Sequence, residues 1–223
     1  MLINSLYNII DSMFVARVGE KALTEISLVY PLQTLVTSIS VGFGVGISAA
    51  VAFFLGMGEH KKADQSASEG LVLNIVNGVL MSVLLTVILP SFLRLFTTDE
   101  EIYQMGITYG TWVLSFSLVI SVYIAYEKIY QSLGNMIVPT LCLAAGCLTN
   151  IVLDPILIFE IGPIPRMEVK GAAIATVIGQ IVPLVMYIVW HRKKGLGVSI
   201  HIKDMKPDPA ICGRLYAVGI PTS

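Results

Sequence analysis

The sequence predicts an all-α membrane protein, a polytopic bundle of six transmembrane helices. Of its 223 residues, 55% are hydrophobic and only 13% are charged, and the mean hydropathy is +0.80. These values lie outside the range of soluble domains. Six apolar stretches, separated by polar or turn-rich segments, each approach or exceed the roughly 17 to 25 residues that a membrane helix needs. Residues 1–190 hold all six and form one transmembrane domain.

The first predicted span, residues 1–18, is an apolar helix with one polar side. Its polar residues recur at spacings of three, four and seven, which places them on one face of a helix: Asn4, Tyr7, Asn8 and Asp11. We expect this face to line a protein or water cavity rather than to meet lipid, because uncompensated polar groups are costly in hydrocarbon.

The second and third predicted spans cover residues 26–55 and 70–96, with a polar loop at 56–64 between them. Gly42, Gly44 and Gly46 lie inside the second span. Small residues at such positions allow a neighbouring helix to approach closely, which is how helices commonly pack in lipid.

The fourth and sixth predicted spans cover residues 103–132 and 171–190. The fourth has tyrosines near both ends, which is typical of helices anchored at the two membrane interfaces. The sixth carries Thr176 and Gln180 four residues apart, so this helix also has a polar side.

The fifth predicted span, within the apolar run 137–159, contains the most unusual polar residues of the chain. Asn150 and Asp154 are four residues apart and therefore share a helix face. A carboxylate in a membrane helix costs roughly 2.5 to 3.5 kcal/mol on insertion scales, so it normally marks an ion or substrate path. Pro155 follows and removes a backbone donor. The alternative is that Asp154 is a helix cap or turn residue beside Pro155.

The basic residues predict the orientation of the chain. Residues 191–214 form its only extended hydrophilic segment and hold six of the fourteen Lys and Arg residues. Placing this linker in the cytoplasm puts eight basic residues inside and five outside, with Lys128 left at a helix end, as the positive-inside rule requires. The N-terminus is then cytoplasmic, and residues 215–223 begin a seventh helix.

Six segments of the chain together resemble the multidrug and toxic compound extrusion (MATE) family. They are LYNIIDSMFV at 6–15, GFGVG at 42–46, GEHKKA at 58–63, LGN at 133–135 followed by Pro139, NIVLDP at 150–155, and GAAIAT at 171–176. They occur in the family's order over almost the whole chain, and the match is to the first of the family's two six-helix lobes.

The resemblance implies half of a twelve-helix secondary transporter in the inner (plasma) membrane. Members of the family export cationic or amphipathic compounds in exchange for protons or sodium. The implied partners are the lipid bilayer, small organic cations or amphipathic drugs, and a missing C-terminal lobe. No cofactor is implied beyond the coupling ion, H⁺ or Na⁺.

The resemblance also implies the residues that bind the coupling ion: Asp11, Asn150, Asp154 and Thr176. By the same comparison Tyr7 lines the chamber, and the polar faces add Asn4, Asn8 and Gln180 to its lining. A physical argument leads to the same site. Two carboxylates with no intramembrane Lys or Arg near the membrane midplane need a mobile cation, and carboxylate and amide oxygens suit a proton or Na⁺.

Three alternatives stay open at this point. A lipid-linked oligosaccharide flippase of related architecture should carry more basic residues in its cavity than this chain does. A structural half-transporter would need a partner chain. An intramembrane enzyme is disfavoured because the sequence has no HExxH, GxSxG or CxxC motif. Nothing resembles a nucleic-acid footprint.

Overall fold

The computed structural model describes residues 13–159, 167–194, 198, 200 and 213. Within these ranges the regular structure is entirely α-helical. Besides a helical segment at 13–16, the helices are α1 (Glu20–Gly56), α2 (His60–Phe96), α3 (Glu100–Ser115), α4 (Ser117–Ser132), α5 (Ile137–Ile158) and α6 (Glu168–Lys194). The all-α prediction is confirmed.

Four of these helices, α1, α2, α5 and α6, are long and apolar enough to cross a membrane. The pair α3 and α4, bent by 41° at its break, gives a fifth span if it is counted as one. These five correspond to the second to sixth predicted spans. The first lies mostly outside the described residues, as does most of the linker and the start of a seventh helix.

Two helices begin well before their apolar runs. Helix α1 starts at Glu20 rather than at residue 26, and α2 starts at His60 rather than at residue 70. The predicted polar loop 56–64 was therefore wrong in length, because only residues 57–59 separate the two helices. Hydropathy identifies only the part of a helix that suits hydrocarbon. The first turns of α2 are polar but helical, and they bury the side chains of Ala63 and Ala67.

The fourth predicted span is broken, which the sequence analysis did not anticipate. Helix α3 ends at Ser115, and Phe116 leaves helical geometry with φ −94° and ψ 15°. Side-chain hydroxyls bond the carbonyls that the break frees: Ser117 Oγ donates to the Leu114 carbonyl at 2.6 Å, and Ser82 Oγ to the Ser115 carbonyl at 2.8 Å. Such hydroxyl bonds make a break tolerable in a membrane helix.

The helices contribute to two compact units. The first contains the described parts of 1–34, 81–117 and 143–183, and the second those of 35–80, 118–142 and 184–223. The second unit has an aromatic centre, in which the Tyr187 ring lies 6.2 Å from Tyr126 and 5.5 Å from Tyr130 between centroids. The first unit is packed with aliphatic side chains such as Val29, Leu89 and Ile158, and it contains the candidate site.

Helix α2 also presents an apolar face to the outside. Its exposed side chains recur along one side: Val76, Val79, Leu80, Val83, Leu84, Val87 and Ile88. Aliphatic side chains exposed in this number on a helix of membrane-spanning length suit contact with lipid tails.

Candidate cation-binding site

The candidate site lies where α5 and α6 pack closely in the first unit. A Cβ on Gly146 would lie 2.5 Å from the Gly179 carbonyl oxygen, and a Cβ on Gly179 would lie 3.0 Å from the Asn150 Cβ. Two glycines facing each other therefore let the helix backbones approach to a distance that any side chain would prevent. This approach brings Asn150 against the backbone of α6.

Asn150 and Asp154 form a buried pair. Both side chains are fully buried, and both lie within α5, so the alternative that Asp154 is a cap or turn residue was wrong. The nitrogen and oxygen of an amide are assigned from the hydrogen bonds they make. In the orientation that satisfies both ends, Asn150 Nδ2 donates to Asp154 Oδ2 at 2.9 Å. In the opposite orientation it still donates to Asp154, to Oδ1 at 3.3 Å.

Helix α6 completes the group of polar atoms. Asn150 Oδ1, in the orientation given above, accepts from the Thr176 backbone N–H at 3.2 Å. The Thr176 hydroxyl is buried and makes no hydrogen bond within the described part of the chain. One turn further along α6, the same holds for Gln180 Oε1.

The oxygens gathered here are of the kind that hard cations bind. A carboxylate, an amide and a hydroxyl supply the oxygen ligands that such ions prefer, and the carboxylate alone is enough for a proton. Neither residues 137–158 nor residues 171–191 contain a Lys or Arg. The structure thus joins three of the predicted residues, Asn150, Asp154 and Thr176, and places Gln180 one turn further along α6.

The other four predicted residues, Asn4, Tyr7, Asn8 and Asp11, lie outside the described residues. Their part in the site stays a prediction. That includes the expectation that Asp11 and Asp154 share one cation.

A buried acid that the sequence analysis missed lies in the same unit. Glu25 on α1 is fully buried, although the predicted span began one residue after it. The sequence does indicate its burial, because Val29, Leu32 and Val36 follow Glu25 at helical steps of four, three and four residues. These three side chains are buried as well. Glu25 therefore belongs to the inward face of the helix.

Comparison with known proteins adds independent findings. A buried carboxylate between close-packed membrane helices is a common feature of multi-pass transporters. The family model MatE matches residues 1–156, and the chain belongs to this family of MATE transporters.

Several relatives match most of the chain. It is 28% identical over 191 residues to the FAD transporter of Shewanella oneidensis, covering 83% of this chain and 42% of that protein. It is 22% identical to the multidrug export protein MepA of Staphylococcus haemolyticus and 24% identical to the probable multidrug resistance protein YoeA of Bacillus subtilis. These alignments cover 99% and 100% of this chain, and 48% and 49% of the relatives.

Solved structures also match the chain over its whole length. A MOP superfamily transporter from Pyrococcus furiosus and the outward-facing conformation of a multidrug resistance MATE family transporter both superpose with a TM-score of 0.92 at 28% identity. All of this chain is covered, against 48% and 49% of those chains. The chain spans about half the length of the relatives it matches.

Proposed function

We propose that this chain is the N-terminal lobe of a secondary active efflux antiporter, which exports cationic or amphipathic compounds in exchange for H⁺ or Na⁺. The observation that carries the proposal is the fully buried Asn150–Asp154 pair beside Thr176. A charge placed there needs a cation for neutrality, and a cation that binds and leaves can be coupled to a change of conformation.

The cargo is proposed only as a chemical class. The relatives are named as exporters of drugs and as a transporter of FAD, and these cargoes differ greatly in charge and size. The lipid-linked oligosaccharide flippase is not favoured, because these relatives are named for other cargo. The proposal places the protein in the inner (plasma) membrane with a cytoplasmic N-terminus, on the basis of its basic residues.

Transport is proposed for two lobes together rather than for this half. In transporters built from repeats the substrate site lies at the interface between the repeats, so one lobe lacks half of that interface. A test is drug efflux from cells that express this chain alone, or together with a matching second lobe. We expect resistance only from the combination. Ion-dependent efflux by the 223-residue chain alone would contradict the half-transporter proposal.

A further inference from the structure

Glu25 occupies an enclosed position between three helices of the first unit. It lies on α1 with no exposed surface. A Cβ on Gly106 of α3 would lie 3.5 Å from Glu25 Cγ and 2.9 Å from the Leu93 side chain of α2. Gly106 thus leaves room for the Leu93 side chain, and Glu25 Cγ lies at ordinary contact distance from the same position.

The Glu25 carboxyl group is buried without compensation. Neither of its oxygens has a hydrogen-bond partner in the described part of the chain. An ionised carboxylate in such a position is strongly disfavoured, and the group is expected to become neutral by taking up a proton. A metal cation would need several oxygen ligands, whereas a proton needs only the carboxyl group itself.

Two basic side chains near Glu25 are paired with exposed acids. Lys21, one turn before Glu25, bonds Asp99 at 3.0 Å and Glu101 at 2.5 Å. Arg94, next to Leu93, bonds Glu100 at 2.8 Å. Titratable and charged groups lie around the position on α1, α2, the turn after it, α3 and α6: Glu20, Lys21, Arg94, Asp99, Glu100, Glu101, Tyr103, Tyr109, Glu168 and Lys170.

A cavity of about 410 Å³ reaches the turns of helix next to Glu25. Its wall includes Ala22, which is three residues before Glu25 on the same helix face, and Met105, which precedes Gly106. Glu20, Lys21, Glu101 and Glu168 also line it, so that three acids against one base give the wall a net negative formal charge. Water in this cavity can bring a proton to within about one helical turn of the buried acid.

We propose that Glu25 is a second proton-binding site of this chain, separate from the Asn150–Asp154 pair and served by this cavity. Glu25 does not itself line the cavity, so the transfer needs water from the cavity to reach the acid when the packing around that turn of α1 opens. A hydronium ion in contact with a Glu25 carboxylate oxygen then gives up its proton and becomes water. Release is the reverse step, and no other bond changes.

Infrared difference spectroscopy of the chain in lipid nanodiscs tests this proposal. The wild-type spectrum minus that of Glu25→Gln should show the carbonyl stretch of a protonated carboxyl group at neutral pH. This band should weaken as the pH is raised and shift in D₂O. Glu100→Gln, which removes an exposed acid that does not line this cavity, should leave the band unchanged. The readout needs no transport, so the inference and the proposed function can fail separately.

Two results would overturn the inference. A difference spectrum without a protonated-carboxyl band at any pH would show that Glu25 stays ionised. A band that neither titrates nor shifts in D₂O while the chain stays folded would show an acid closed off from the cavity. If Glu25→Gln does not fold, Glu25→Asp is the second variant, because it keeps an acid at this position. It should move the protonated-carboxyl band to a different frequency. A spectrum identical to that of the wild type would contradict the assignment of the band to Glu25.

Discussion

At the scale of single residues, the polar atoms of α5 and α6 differ in how fully they are satisfied. Asn150 uses both ends of its amide, one on Asp154 and one on the Thr176 backbone. The Thr176 hydroxyl and Gln180 Oε1 have no hydrogen-bond partner among the described residues. A buried polar atom without a partner weakens the fold, so its presence in this helix interface points to a ligand that it meets in function.

Thr176→Val tests this interpretation, because valine keeps the shape of threonine and removes the hydroxyl. We expect the free energy of unfolding to be unchanged or raised by up to about 1 kcal/mol, because no hydrogen bond of the folded chain is lost. Binding of the coupling ion by the two-lobe assembly should weaken several-fold, whereas Thr176→Ser should keep it. Loss of stability together with unchanged ion dependence would assign the hydroxyl a structural role.

The polar residues of the site were predictable from sequence where their spacing places them on one helix face. Asn150 and Asp154 were placed on one face because they are four apart, and the structure confirms the pair. Glu25 was missed because a hydropathy window excludes a charged residue at the end of an apolar run, even when the spacing of Val29 and Leu32 places it on the buried face.

At the scale of helices, the site depends on the close approach of α5 and α6. A Cβ on Gly146 would meet the Gly179 carbonyl oxygen at 2.5 Å and the Pro183 ring at 2.6 Å. Backbone and a proline ring have little freedom to move, so the helices must separate to admit even a methyl group.

We therefore expect Gly146→Ala to destabilise the chain by about 1 to 3 kcal/mol, the usual cost of overpacking, measured by thermal unfolding in detergent. The matched control is Gly56→Ala at the end of α1, where a Cβ would meet nothing within 4 Å. That change should be neutral or slightly stabilising, because alanine is the better helix former. Equal stability of the two variants would contradict the close-packing account.

Asp99 fixes the start of α3 and links it to α1. Its carboxylate accepts from the Glu101 backbone N–H at 2.9 Å and lies 3.0 Å from Lys21 Nζ. The hydrogen bond from Lys21, followed by that from the Glu101 backbone, lowers the pKa of Asp99. A lowered pKa means that the stabilisation is complete above the ordinary pKa of Asp and is lost as the pH falls through the lowered value.

Asp99→Ala should lower the unfolding temperature at neutral pH more than Asp99→Asn does, because asparagine is also a good N-cap. The difference between wild type and Asp99→Asn should disappear in acid, once the wild-type carboxyl group is protonated. A difference that persists at low pH would show that charge is not its origin.

Which segments become helical was predictable from apolar runs, but where the helices end or break was not. Helix α2 continues ten residues before its predicted start because Ala63 and Ala67 pack inside the second unit. The break at Phe116 has no proline or glycine to announce it. It depends on the hydroxyls of Ser117 and Ser82, and Ser82 comes from another helix.

At the scale of the whole molecule, the orientation in the membrane is a prediction from basic residues alone. In a cysteine-free background, Lys21→Cys should react with an impermeant thiol reagent added to intact cells, and Lys62→Cys should be protected. Both side chains are about half exposed, so access rather than burial decides the result. Inverted membrane vesicles should reverse the pattern. Labelling of Lys62→Cys alone in intact cells would overturn the topology.

The Asn150–Asp154 pair is the proposed site where a cation couples to export. The matched comparison is Asp154→Asn, which removes the buried charge, against Glu101→Gln, which removes an exposed one. Each variant is reconstituted into proteoliposomes together with the second lobe. The measurement is efflux of an organic cation driven by a pH or sodium gradient. We predict that Asp154→Asn folds but loses gradient-driven efflux, while Glu101→Gln retains it. Normal efflux by Asp154→Asn, with an unaltered response to pH and sodium, would contradict the account.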